Sequence, residues 1–479
     1  MDIFLIRAAQ LILCLSILII LHEGGHFALA KLFGIRVEKF FLFFDYKFRL
    51  FSTYSKWWRK LWGKEPLPKD DKGNYPYAGT EYGIGWIPLG GYVKIAGMID
   101  ESMDREQMQQ PPQPWEFRTK PAWQRLLVML GGVFVNFILA LFIYSAILFT
   151  WGETYIPIRD MKMGFTFSKE AQAIGFRDGD IPVAADGEAF RDYNVDVLRA
   201  ISTARNVEVL REGKTLVITM PEGGQSLLNM MQGDRPFIMP YLPSVIDTVI
   251  AGSPAHKSGL LKGDRIVAFN GTPIDNWTDY DCAINRLSRS LEGATTNDSL
   301  RKRKVQIVVA RQAKAASPAL DTISLVLDSQ LQMGIGKTYA LRYYKAVTKQ
   351  YGLIESIPAG IKHGIDVFSG YVSDLKYIFT KEGAKSVGSF GAIGSMFPTA
   401  WDWERFWELT AFISIILAFM NILPIPALDG GHALFLLIEM VFRRKFSLKF
   451  QERAQMIGMA ILLALMVYAI GNDIFRFLL

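Results

Sequence analysis

Near the N-terminus the run His22-Glu23-Gly24-Gly25-His26 has the residue types and spacing for hydrolytic chemistry. Two histidines four apart on a helix project from one face, so His22 and His26 can reach a single metal ion, and Glu23, one residue round, can reach a water beside it. The chain has five His and two Cys, Cys14 and Cys282. No thiolate zinc site or disulfide framework can be built from that supply, so a metal must be held by His and carboxylate. A histidine pair merely packed between helices is the bland alternative. It is a poor one here, because His22, Glu23 and His26 sit within the apolar stretch Ile3 to Ala30, where ionisable side chains are expensive and mark function.

A catalytic zinc needs a third protein ligand and one open position. The candidate is Asp429, in Asn421-Ile-Leu-Pro424-Ile-Pro426-Ala-Leu-Asp429-Gly430-Gly431. There two prolines stop an apolar helix, and irregular backbone at membrane depth is tolerated only where it is buried in protein or lines a wet cavity. A carboxylate in that place is better explained by metal than by solvent. His432 is a rival ligand, although its position after a glycine pair suits a helix start or a residue supporting a ligand.

These residues need elements to position them. Half of the 479 residues are hydrophobic and about a fifth are charged, at 21%, which predicts membrane spans together with soluble modules. Apolar segments of spanning length run from Ile3 to Ala30, Arg125 to Trp151, Phe406 to Leu423 and Ala454 to Leu479. The first lacks the early basic region and small-residue cleavage site of a secretory signal and carries the metal-type motif, so it is expected to stay in the mature protein. The net charge of +7 is concentrated at Lys56, Arg59, Lys60, Lys64, Lys69 and Lys72 and again at Arg443, Arg444, Lys445, Lys449 and Arg453. Loops so charged are expected on the cytoplasmic side, which puts the long segment from Gly152 to Glu404 and both termini on the other. Trp57, Trp58 and Trp62 among those charges suit lipid headgroups, and no base-stacking motif accompanies them, so nucleic acid is not an expected partner.

The segment after the second span repeats itself. Gly175-Phe-Arg-Asp-Gly179-Asp180 with Gly187 matches Gly259-Leu-Leu-Lys-Gly263-Asp264 with Gly271 at a constant offset of 84 residues. Each copy has an Ala-rich approach, a Gly-x-x-x-Gly-Asp turn, a short apolar strand and an Asp-Gly or Asn-Gly hairpin turn. The pair looks like two tandem PDZ domains, modules that capture extended peptide by adding it to a sheet edge, although a rigid spacer is an equal alternative. Pro182 stands where Ile266 begins the strand in the second copy, which puts the edge pairing of the first copy in doubt. Beyond the repeats, Lys337 to Thr380 has helical apolar spacing in Ile361, Ile365, Phe368, Val372, Leu375 and Phe379. It is expected to lie against the repeat pair or the membrane surface.

Taken together, His22-Glu-Gly-Gly-His26, Asn421-x-x-Pro424-x-x-x-x-Asp429-Gly430, the paired insert, and Pro88-Leu-Gly90-Gly91-Tyr92-Val93-Lys94 resemble the site-2 proteases over nearly the whole chain. The resemblance implies Zn2+ bound by His22, His26 and Asp429, Glu23 as base, and Asn421 holding the substrate. It further implies that Tyr82 to Gly97, with its five glycines among β-formers, is a re-entrant β-loop in which Gly90, Gly91 and Tyr92 meet an unwound substrate. The implied fold is a polytopic α-helical membrane protein with about four transmembrane helices, a re-entrant β-loop and two β-rich α+β PDZ domains on the extracytoplasmic side. Its expected segments are 1–32 (first helix), 33–123 (cytoplasmic-side loop, with the β-loop near 80–98), 124–151 (second helix), 152–240 and 241–333 (PDZ domains), 334–404 (amphipathic helical segment), 405–432 (third helix and Asp-Gly motif), 433–453 (cytoplasmic-side segment) and 454–479 (fourth helix). The implied setting is a bacterial inner membrane. The implied substrates are single-span membrane proteins, such as an anti-sigma factor or remnant signal peptides, cut after their extracytoplasmic domains have been trimmed. The chain departs from shorter members in the inserted Phe48 to Gly79 and in Ser386 to Gly394, which lacks a Gly-Pro. A catalytically silent membrane adaptor and a metal transporter are the rival classes. An intact Glu23 argues against the first, and the paired insert against the second.

Overall fold

The computed structural model describes residues 3–54, 79–88, 90–98, 111–221, 230, 235–291, 293, 295–311, 319–375, 380, 388–444 and 446–478. The Lys and Trp cluster at 56–72 and residues 376–379, 386, 387 and 445 fall outside them. The chain divides into two compact units, residues 1–152 with 350–479 and residues 153–349.

In the first unit, four described helices are long and apolar enough to cross a membrane. They are α1 (Ile3–Leu32), α2 (Ala122–Thr150), α5 (Trp403–Ile422) and α7 (Leu448–Leu478); the other described α-helices of this unit are α3 (Leu353–Asp374), α4 (Phe390–Met396) and α6 (Asp429–Phe442). A helix is the natural form for such sequences because it satisfies every main-chain polar group within the segment. Asp402 caps α5 by accepting from the Arg405 N–H, and Pro424 and Pro426 prevent its continuation. The chain then turns through Ala427, whose φ is +80°, and restarts at Asp429 as α6. Gly430 and Gly431 permit that reversal, since a Cβ on either would run into the carbonyls of Leu423 and Ile425 respectively. A buried-side ion pair, Arg125 Nη2 to Glu439 Oε1 at 2.5 Å, ties α6 to α2.

Among the described residues of the segment expected over Lys337 to Thr380, the α-helix is Leu353–Asp374, while Ile335–Lys337 and Val347–Lys349 are strands of the other unit. Instead of lying on a surface, α3 packs lengthwise on α2. Gly360 meets Ser145, Gly364 meets Leu141, and Phe368 stacks edge-on against Phe137 at 5.6 Å, so the two helices run antiparallel and α3 reaches the middle of α2. The glycines four apart, which let backbones approach, set the contact.

Between α1 and α2 lies a four-stranded sheet ordered β2-β3-β1-β4, with β1 Val37–Leu42, β2 Phe51–Tyr54, β3 Glu81–Ile84 and β4 Tyr92–Ile95. β1 pairs parallel with β3 and antiparallel with β4, which makes β4 the terminal strand.

The second unit holds both repeats in matching form. The strands Ile181–Ala185, Glu188–Ala189, Asn206–Arg211 and Lys214–Thr219 pair in the same order as Arg265–Phe269, Thr272–Pro273, Lys304–Arg311 and Ala319–Val326. A register shift falls between Pro182 and Ala184 in one copy and between Ile266 and Ala268 in the other. The strand carrying Pro182 therefore keeps its pairing, contrary to expectation. Its short neighbour Glu188–Ala189 pairs only with Ala184 and Ala185, so the missing N–H of Pro182 costs no ladder bond on that side. Arg211 grips Asp180 and the Gly175 carbonyl, as Arg311 grips Asp264 and the Gly259 carbonyl. The Asp and Gly partners keep the 84-residue offset, while the arginines that grip them stand 100 residues apart.

Candidate metal centre

The last three turns of α1 present His22 and His26, and the first residue of α6 presents Asp429. Their ligand atoms converge, with His22 Nε2 to His26 Nε2 at 3.3 Å, His22 Nε2 to Asp429 Oδ2 at 3.2 Å and His26 Nε2 to Asp429 Oδ2 at 3.3 Å. Three lone-pair atoms crowded so closely repel unless a cation or proton lies among them. Asp429 Oδ2 is buried and accepts no hydrogen bond. Tetrahedral ligands about 2.0–2.1 Å from zinc stand about 3.3 Å from one another, so the spacing as well as the chemistry of this donor set fits that ion. His432, the rival, lines the adjoining cavity but is not part of the convergent cluster. Three residues beyond Asp429, it is carried round the start of α6.

The other predicted residues are distributed unequally. Glu23, Gly91 and Tyr92 line a cavity of about 760 Å³ together with His22, His26 and Asp429. The Val93 main-chain N–H of β4 reaches the Glu23 carboxyl group, and Gly91 lies so close to α1 that a Cβ there would stand 2.6 Å from Ile19 Cγ2 and 3.7 Å from Glu23 Cγ. Asn421, in the last turn of α5, brings Nδ2 to 3.5 Å from His22 Nε2. Gly90 packs instead on the Phe44 ring. Tyr92 donates from its hydroxyl to Asp45 Oδ1 at 2.9 Å.

Sequence reasoning missed what α2 contributes. His26 Nδ1 donates to the Val128 carbonyl at 2.7 Å, a bond that leaves its Nε2 lone pair for a metal. Gly25 and Gly131 bring the two backbones into contact, since a Cβ on Gly25 would collide with the Gly131 carbonyl. Gly132 faces the imidazoles directly; a Cβ there would stand 2.5 Å from His26 Nε2 and 2.7 Å from His22 Nδ1. Gly132→Ala is therefore expected to push both rings off their common centre. A misplacement of about 1 Å costs about 100-fold in rate, and zinc content per chain together with cleavage rate checks the result. Asn136, one turn further on, is fully buried beside His22. A lone Asn in the otherwise apolar run from Val133 to Leu141 was the signal available.

Two imidazoles and an adjacent glutamate on a helix long and apolar enough to cross a bilayer, met by a carboxylate at the start of α6, define the class of zinc hydrolases that work at a membrane. The chain belongs to peptidase family M50, the site-2 proteases, which matches residues 10–56 and 74–465. It is 27% identical to the regulator of sigma-E protease RseP of Escherichia coli, with 99% of each chain covered. It is also 27% identical to a putative zinc metalloprotease of Vibrio cholerae, over 97% of each chain, and to metalloprotease MmpA of Caulobacter vibrioides, over 99% of this chain and 96% of that one. The protein is thus a polytopic membrane zinc metalloprotease, with Zn2+ as its cofactor.

Proposed function

We propose that this protein cleaves peptide bonds within the transmembrane segments of single-span proteins of a bacterial inner membrane, with His22, His26 and Asp429 holding zinc. The observation that carries this reading is the convergence of the three ligand atoms to 3.2–3.3 Å between the spanning-length helix α1 and the start of α6, beside a cavity that ends on a sheet edge.

Zinc supplies Lewis acidity there, polarising the scissile carbonyl and making water acidic enough to attack near neutral pH. Glu23 takes the proton of the attacking water and delivers it to the leaving amine. Asn421 Nδ2, beside His22, orients the substrate main chain. A transmembrane helix hides its own peptide bonds, so the segment must be unwound before hydrolysis. The terminal strand β4 lies against α1 at Gly91 and Val93, and adding the unwound segment to that strand restores hydrogen bonds it would otherwise lack. In this reading Tyr92 shapes the strand through Asp45, Gly90 and Gly91 keep it flat against its neighbours, and the sheet is a re-entrant β-loop.

The two repeats act as a pair of extracytoplasmic PDZ domains that admit substrates already trimmed, on the same side as both termini, with the basic loops cytoplasmic. Anti-sigma factors and remnant signal peptides are the substrate classes this suits. The test is a cleavage assay with single-span substrates carrying long or trimmed extracytoplasmic domains, run with the whole chain and with residues 153–349 removed. The whole chain is expected to cut the trimmed form at least about tenfold faster, and the shortened chain to lose that preference. Equal cleavage of both lengths by the whole chain refutes the filter.

A further inference from the structure

We infer that Asn136 of α2 is a positioning residue that fixes the tautomer of His22, presenting its Nε2 lone pair to zinc by accepting a hydrogen bond from Nδ1–H. The inference rests on the reading of His22 as a ligand and adds a residue outside the ligand set.

A neutral imidazole carries its proton on one nitrogen and a lone pair on the other. For His22 Nε2 to serve a metal, Nδ1 must hold the proton and find an acceptor. His26 meets this demand through the Val128 carbonyl at 2.7 Å. At His22 Nδ1 the group within reach is the Asn136 amide, at 3.3 Å. Asn136 is fully buried, and with Nδ2 toward the ring its Oδ1 is buried and lacks a partner. That orientation makes Nδ1 the acceptor and sends the ring proton to Nε2, toward Asp429. A half-turn of the amide exchanges two groups of nearly equal size. It brings Oδ1 to Nδ1–H and frees Nε2 to face Asp429 Oδ2 and His26 Nε2 as a lone pair.

The surroundings fix the backbone that carries the amide. Ser414 of α5 donates from its hydroxyl to the Asn136 main-chain carbonyl at 2.7 Å, with both residues fully buried. Gly132, one turn earlier on α2, leaves the space through which His22 and Asn136 meet. No charge changes in this arrangement; the amide selects which ring nitrogen bears hydrogen.

The test compares zinc affinity, measured by chelator competition on the purified full chain in detergent, for wild type, Asn136→Leu, Asn136→Asp and Asp429→Leu. Leu has the shape of Asn without an acceptor, and its zinc affinity is expected to fall about 10–100-fold. Asp keeps an acceptor, and its affinity is expected to stay near that of wild type. A packing role predicts the opposite order, with Leu tolerated and the buried carboxylate damaging. Wild-type affinity in Asn136→Leu, or a loss in Asn136→Asp as great as in Asn136→Leu, overturns the proposal. Loss of zinc in Asp429→Leu tests the ligand set separately. Should Asn136→Leu fail to fold, the 15N spectrum of zinc-loaded wild type decides. A protonated Nδ1 on a metal-bound His22 supports the assignment, and an unprotonated Nδ1 overturns it.

Discussion

Glu23→Gln is expected to retain one zinc per chain while cleavage of a membrane-embedded substrate falls by about 100- to 10,000-fold. Glutamine has the shape of glutamate, so the packing of α1 against β4 survives, and the Val93 N–H still finds an oxygen. The three convergent ligand atoms belong to His22, His26 and Asp429 and are untouched. What disappears is a group able to take a proton from water and give it to the leaving amine, and the site offers no substitute in the same place. Metal analysis and a single-turnover cleavage assay on one preparation separate the two effects. Full activity in the variant would sink the role given to Glu23. Loss of zinc would show that Glu23 holds the centre together and does not act as its base.

Asp429→Leu is expected to lose both metal and activity, whereas His432→Asn keeps its zinc. A zinc site worth about 10–16 kcal/mol, shared among three protein ligands, gives each roughly 3–5 kcal/mol, so removing one lowers affinity by about 100-fold or more. Asp429 stands 3.2 and 3.3 Å from the two Nε2 atoms, and its Oδ2 has no other partner. His432 lines the cavity without joining that cluster. The two variants discriminate cleanly because both positions lie on the first turn of α6, so damage to the helix alone affects them alike. Retention of zinc in Asp429→Leu with loss in His432→Asn would move the third ligand to the histidine.

Features legible in the sequence are those written in local spacing. His22 and His26 share a helix face by arithmetic, and the apolar runs predicted helices that the structure places within a few residues, such as Ile3–Leu32 for Ile3 to Ala30. The 84-residue repeat returned as two sheets of one strand order. Asp429 was legible for another reason: prolines and a carboxylate at the end of an apolar helix conflict with a lipid surroundings unless something polar awaits them. The segment after the repeats misled, because periodic bulky residues identify a helix without saying what it packs on. Gly360 and Gly364 decided that contact.

Harder still were residues whose meaning depends on a neighbouring helix. Gly25, Gly131 and Gly132 look like ordinary small residues until two backbones meet there and the imidazoles need the room. Asn136 becomes interpretable once His22 Nδ1 stands 3.3 Å away and the other amide atom is seen to lack a partner. The parallel pairing of β1 with β3, which leaves β4 at the edge beside Glu23, joins strands some forty residues apart in the chain. No periodicity encodes such a register.

The amino-acid order alone thus pointed to the chemistry: a histidine pair able to share a metal, a glutamate beside it, and their place in an apolar helix. Residue type and spacing along one helix are enough for that. The tertiary structure decided the geometry around them: the convergence of Asp429, and not His432, on the two imidazoles, the approach of α2 to both rings, and the sheet edge laid against α1. Those are contacts between segments up to 407 residues apart, as from His22 to Asp429, and they form because close-packed helices admit only glycine at some positions and demand a partner for every buried polar atom.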